Sequence, residues 1–193
     1  GKISIAGHGY ALIRKLKAEK SLYEKQRDTM EAVYQRFLEK QKEALEAFLE
    51  NLSEKINEIY QFLNPEERIE NIKLIPLTKE NELLGITMQF DFLDNKNVSP
   101  PHKLLSESHL NCLGIAFFLA SVEAFNKKNK FIVLDDVISS FDANHRKRFA
   151  DLLVEKYHEY QIILLTHEKT WFDIVKNLVQ RKNWIIKAKK LYL

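Results

Sequence analysis

Apolar residues follow three rhythms along the chain. Between Leu45 and Leu63 they fall at Leu45, Leu49, Leu52, Ile56, Ile59 and Leu63, in alternating steps of four and three. That is the heptad repeat of a helix with one apolar seam. Upstream the repeat loosens. Leu16, Tyr23, Met30, Phe37 and Ala44 keep a step of seven, while Glu19, Gln26 and Lys40 interrupt the second row. No glycine or proline lies between Gly9 and Pro65, so a single helix is predicted over residues 10–63, stopped by Asn64-Pro65. Such a helix can pack along its own domain or leave it as one strand of a coiled coil. The long, strongly charged polar faces favour the second, with residues 1–65 as a coiled-coil arm and 66–193 as a globular lobe.

The second rhythm is alternation. In "LLGITMQFDFL" (Leu83 to Leu93), Ile86, Met88, Phe90 and Phe92 alternate with Thr87, Gln89 and Asp91, the period of a half-buried strand. "NIKLIPL" (Asn71 to Leu77) precedes it, "TKENE" reads as the hairpin turn between them, and "DNKNVSPP" ends the second strand. From Ser106 onward helix-length and strand-length blocks take turns: a helix over 107–126, a strand over 131–135, a helix over 143–158, a strand over 161–166, a helix over 168–180 and a strand over 184–189. "FIVL" and "IILL" are unbroken apolar runs, as expected of parallel strands covered on both faces. The fold class that follows is α/β, a parallel-strand core flanked by helices, with an N-terminal long helix and a β-hairpin.

Composition narrows the setting. The 193 residues, 45% hydrophobic and 30% charged, suffice for one domain with a core. Net charge is +3, with lysine and glutamate interspersed, which permits contact with nucleic acid without arguing for it. The single cysteine, Cys112, excludes a disulfide framework or a cysteine-rich zinc site and points to the reducing cytoplasm. No signal peptide is recognisable, and the longest apolar run, Cys112 to Val122, is too short to span a bilayer, so no membrane is expected. The chain opens "GKISIAGHGY" without methionine and reads as a piece of a longer protein.

The chemistry concentrates at strand and helix ends. "FIVLDD" drives a buried-looking strand into adjacent aspartates, Asp135 and Asp136. In open α/β sheets ligands bind beyond the carboxyl ends of strands. There one carboxylate can hold Mg²⁺ through water and its neighbour can orient an attacking water. A turn or helix-capping pair is the plainer reading. The other apolar strand ends in Thr166-His167, which places a histidine at the matching position, either structural or in contact with phosphate. "KLLSESHLNCLG" puts Ser106 just ahead of an apolar helix, with Glu107, Ser108 and His109 in its first turn. Ser106 reads equally as an N-cap and as part of an anion site at a helix N-terminus.

The order "LLSESH", "FIVLDD", "SSFD", "LLTHE" resembles the C-terminal half of an ABC-type ATPase head, within that class the SMC/RecF/RecN group, over about residues 70 to 190. The resemblance implies ATP and Mg²⁺ as cofactors. It makes Leu105, Ser106, Glu107, Ser108 and His109 the signature motif that contacts nucleotide held by a second head. Asp135 becomes the Walker B ligand of Mg²⁺ and Asp136 the residue that activates water. Ser139 to Asp142 match the D-loop, with Ser140 and Asp142 facing nucleotide, and His167 matches the switch histidine at the γ-phosphate. Two departures stand out. Glu107 and Ser108 replace the signature glycines, and no GxxxxGK[ST] occurs, since "GHG" at 7–9 lacks the lysine. The resemblance therefore implies a C-terminal head lobe whose Walker A lobe lies elsewhere in the same protein or on a separate chain. Heads would pair as homodimers or heterodimers, and the protein would act on DNA in repair, chromosome maintenance or phage defence. "LSESHLNCLGIAFFLA" with "LDDVISSFDANHR" resembles the SMC-like ATPases of bacterial defence more than condensins. The alternative is a non-catalytic coiled-coil dimerisation module with a degenerate head. An ABC transporter subunit fits less well, because it has no use for a 50-residue helix.

Overall fold

The computed structural model describes residues 2–79 and 82–189, the side chains of 2–8 and 82 excepted. Helix α1 runs without a break from Lys2 to Leu63 and ends where Asn64 precedes proline. Strands β1 (Ile69–Lys79), β2 (Glu82–Phe92) and β3 (Asn95–Val98) form an antiparallel sheet in the order β1-β2-β3. The tip of the expected hairpin turn, residues 80 and 81, lies outside the described residues. After a 3₁₀ turn at Pro101–Lys103 come α2 (Glu107–Phe125), β4 (Phe131–Asp135), α3 (Ala143–Lys156), β5 (Gln161–Leu165) and α4 (Lys169–Arg181). β4 and β5 pair in parallel, from Phe131 opposite Gln161 to Asp135 opposite Leu165. The architecture is mixed α/β with a long N-terminal helix, as expected.

The chain divides into two compact units between Ala47 and Phe48. In the first, α1 carries i,i+4 pairs such as Lys15–Glu19 and Lys20–Glu24, and its apolar residues from Tyr10 to Phe37 are exposed. In the second, the end of α1 lies in the core. Leu49, Leu52, Ile56, Ile59, Tyr60 and Leu63 are buried. The regular heptad is therefore core, packed within its own unit, and not the seam of a protruding coiled coil. Polar residues beside that seam confirm the docking. Ser53 Oγ accepts from the amide of Leu74 at 2.9 Å, while Asn57 accepts from the Ile72 amide at 2.9 Å and donates to the Ile72 carbonyl. These bonds serve β1 where its register shifts between Glu70 and Lys73, around Asn71 at φ 52°.

Around the sheet, α2 buries Cys112, Leu113, Ile115, Ala116, Leu119 and Ala120. It is long and apolar enough to cross a membrane by length and composition, but this face belongs to the core. From α3 and α4, Phe149 stacks on the fully buried Trp171 with rings 3° from parallel, and the indole N–H donates to the Arg146 carbonyl.

Three expectations need correction. Residues 184–189 form no strand, because "WIIKAK" finds no ladder partner. β3 was missed, since "NKNV" has no apolar face to announce it. The strands β4 and β5 are not covered on both faces. Ile132 and Leu134 are buried, whereas Phe131, Val133, Ile163 and Leu165 are 41–45% exposed.

Candidate functional site

β4 ends at Asp135, and Asp136 then takes φ 47°, a left-handed conformation that aspartate tolerates better than most residues. Its amide donates to the Leu165 carbonyl at 3.0 Å, closing the ladder between the strand ends. Asp135 is exposed and Asp136 half-buried, so the adjacent carboxylates meet different surroundings. Two residues past Leu165, the exposed His167 brings Nδ1 within 2.8 Å of Asp136 Oδ1. The approach is off hydrogen-bond geometry, which leaves this buried carboxylate oxygen without a hydrogen-bond partner. An oxygen so placed is costly unless a cation, a water or a proton donor reaches it. The two residues assigned from opposite strands are thus neighbours, on a backbone held in a sparsely populated region.

The donor set suits Mg²⁺ that keeps several waters: two carboxylates of hard oxygen, one with an uncommitted atom. No cluster of three candidate ligands occurs among the described residues, so water and phosphate oxygens would have to complete the shell.

The signature-like segment begins with buried Leu105, which anchors it. Ser106 N-caps α2 at φ −65°, ψ 163°. Its Oγ accepts from the His109 amide at 3.4 Å and lies 2.9 Å from His109 Nδ1. Glu107 is exposed, and Ser108 Oγ is buried without a partner. In the D-loop-like turn, Ser140 Oγ accepts from the Asn111 amide group of α2, which ties the two segments together. Asp142 N-caps α3 by accepting from the His145 amide at 2.8 Å. That bond, with a smaller contribution from the His145 ring, holds the Asp142 carboxyl below its ordinary range. Burial pushes the Cys112 thiol up to about 11, so it is no nucleophile.

Several residues that shape these segments were missed. Arg146 makes a two-pronged pair with Glu168, the residue after His167, and also donates from Nε to the Phe141 carbonyl at 2.8 Å. The turn before α3 and the end of β5 are therefore joined by one guanidinium. His109 Nε2 lies 2.9 Å from Glu67 Oε1, and His145 Nε2 lies 2.8 Å from Asn64 Oδ1. A signal was present in the sequence. "SESH" and "DANH" both place a histidine three residues after a capping oxygen, where a capping box has Glu or Gln.

No protein-family profile and no curated protein sequence matches the chain. Its fold is similar to solved SMC heads. The Smc head domain of Pyrococcus furiosus, solved with an extended coiled coil and bound to the C-terminal domain of ScpA, aligns at TM-score 0.63 and 20% identity over 85% of this chain and 39% of that one. The Pyrococcus yayanosii Smc head domain, with a coiled coil and joint, aligns at 0.65 and 19% identity over 85% of this chain and 30% of that one. An SmcHead bound to the C-winged helix domain of ScpA gives 0.55 and 22% identity over 70% and 40%. The chain has an SMC-head fold and spans 39% and 30% of the length of the first two relatives.

Proposed function

We propose that this chain is the C-terminal lobe of an SMC-like ATPase head, which binds ATP and Mg²⁺ together with a separate Walker A lobe and pairs with a second head. The observation that carries this reading is the convergence of Asp136 and His167, 2.8 Å apart at the ends of adjacent parallel strands, with Asp136 at φ 47° and one of its oxygens unpartnered. A capping or scaffold role requires none of these three features. The exposed apolar face of β4 and β5 supports a completing lobe, since covering it would remove Phe131, Val133, Ile163 and Leu165 from water.

Asp136 would orient the attacking water and accept its proton, while His167 would donate to the γ-phosphate. Asp135 would hold Mg²⁺, whose charge neutralises the phosphate oxygens when it is bound. Ser106, with the backbone around Ser108, His109 and Leu105, would meet the phosphate held by the other head. Glu107 must point away from it, and Ser140 and Asp142 would line the edge. DNA is the substrate on which head pairing acts, and the "SESH" and "DANHR" wording favours phage defence over repair or chromosome maintenance.

The test joins this lobe to its Walker A lobe and compares wild type with Asp136→Asn. ATP binding should persist and hydrolysis should fall by at least about a hundredfold, the usual weight of a general base. Normal turnover in the variant would remove Asp136 from the chemistry. The chain alone should show no submicromolar ATP affinity by calorimetry, because it lacks the lysine-bearing phosphate loop.

A further inference from the structure

The two cap-x-x-His segments do more than start helices. In each, the capping oxygen belongs to a segment read as facing nucleotide, and the histidine ring three residues later reaches back to the end of α1. His109 meets Glu67 and His145 meets Asn64, with the rings edge to face at 6.3 Å. Around His109 the atoms leave little freedom. A carboxylate oxygen 2.9 Å from Nε2 can only accept, and two bare lone pairs would repel at that distance, so Nε2 carries a proton. In the neutral ring Nδ1 is then an acceptor. The only proton between Nδ1 and Ser106 Oγ, 2.9 Å apart, is the serine's own. Ser106 therefore accepts from the His109 amide and spends its one donor on the His109 ring. In that state it has no hydrogen to offer a phosphate.

We propose that His109 and Glu67 are positioning residues for Ser106, which can donate to a phosphate oxygen only when His109 takes up a proton from solvent at Nδ1. The protonated ring donates from Nδ1 to Ser106 Oγ, the serine hydroxyl turns outward, and Glu67 balances the charge. This deepens the head reading and rests on it. The groups facing the ring are Ser106 in its own turn, Glu67 beyond the end of α1 and His145 of α3, with Asp142 on the far side of His145. Phosphate engagement by this segment and the placement of the loop after α1 are then one equilibrium, because Glu67 fixes which nitrogen is bare.

Two measurements test it. In the first, the chain is labelled on its histidines and the ring nitrogens are read by NMR at about pH 8, where an ordinary histidine is neutral. His109 should carry its proton on Nε2, and Ser106→Ala should shift its Nδ1 resonance toward that of a free acceptor while His145 stays put. A proton on Nδ1, or an Nδ1 resonance indifferent to Ser106→Ala, overturns the proposal. In the second, the lobe joined to its Walker A lobe is followed by ultracentrifugation with ATP and Mg²⁺. Wild-type pairing should weaken about tenfold from pH 6 to pH 8, as a histidine's protonated fraction does over that interval. His109→Phe, which keeps a ring beside His145 and removes both nitrogens, should pair equally at the two pH values and at least as tightly as wild type at pH 8. If the variant pairs more weakly at both, His109 is a phosphate or packing contact and the proposal falls. A wild type that never pairs defeats the head reading, and the NMR measurement then decides the hydroxyl–imidazole arrangement by itself.

Discussion

The two halves of α1 carry the same kind of repeat and meet opposite fates. From Phe48 to Leu63 the seam is buried, with Ile56 and Leu63 at 0% exposure. From Tyr10 to Phe37 the apolar residues stand in water, Tyr23 and Met30 at 67% and 70%. Helical propensity does not separate them, since neither half contains a helix breaker after Gly9. Register and the neighbouring polar residues do. The buried half keeps a strict four-three alternation and flanks it with Ser53 and Asn57, small polar side chains that reach backbone groups of β1. The exposed half breaks its second row with Glu19, Gln26 and Lys40 and covers itself with i,i+4 ion pairs, which in water contribute little. A heptad pattern thus says that a helix face will be buried without saying by what.

The comparison breaks most visibly at Ile56. Ile56→Asp would bury a charge with no partner and lose the packing of a full side chain, at a cost of roughly 5 kcal/mol or more. That approaches the whole stability of an ordinary domain, so denaturant titration should find the second unit unfolded or nearly so. A folded variant of near wild-type stability would mean that the seam is not core. Ser53→Ala is a subtler cut at the same place. It leaves the Leu74 amide without its acceptor, at a cost of about 1–3 kcal/mol, and hydrogen exchange should locate the loss at Leu74 more than elsewhere in β1.

How much of this was legible varies with the kind of signal. The β2 strand was readable because Ile86, Met88, Phe90 and Phe92 alternate with polar residues. The one-sided burial of β4 and β5 was not, because both faces of "FIVL" and "IILL" are apolar and only the observed packing distinguishes them. "WIIKAK" reads as a strand by composition, yet a strand needs a ladder partner, which a local pattern cannot supply. In the candidate site, the order of short motifs placed Asp136 and His167 at matching strand ends, and the structure brings them together. Arg146, Glu168, Asn64 and Glu67 were invisible for another reason. Their roles come from contacts across 22 to 81 residues of sequence, and isolated charged or amide side chains near helix ends are too common to single out.

Asp142 sharpens the buried side of the comparison, since its cap is linked through His145 to Asn64 at the end of α1. Asp142→Ala should destabilise by about 1 kcal/mol, the usual weight of an N-cap, whereas Asp142→Asn should cap nearly as well. The wild-type carboxyl lies below its ordinary value in the folded state. Its contribution is therefore complete above about pH 4 and is lost as pH falls through that lowered value. Between wild type and Asp142→Asn, the stability difference should shrink on acidification, as read by urea titration at a series of pH values. A difference that grows toward low pH would contradict the bond from the His145 amide.

The smallest effect belongs to the exposed half. Leu16→Glu combined with Met30→Glu places charge at two positions that are already 54% and 70% exposed. Neither substitution buries a charge or opens a cavity, and both residues are replaced by a good helix former. Each should therefore change stability by no more than about 0.5 kcal/mol, as surface substitutions away from special features do. The check is thermal and urea denaturation of the pair beside Ile56→Asp, with light scattering over a concentration series. Equal melting with unchanged mass would leave the stripe simply solvated. Equal melting with loss of a self-associated form would identify it as a surface that a second helix covers, because an apolar stripe at helical spacing is removed from water most economically by another helix. A large fall in the stability of the chain would erase the distinction between the halves, since it would require Leu16 or Met30 to be buried in a contact as extensive as that of Ile56.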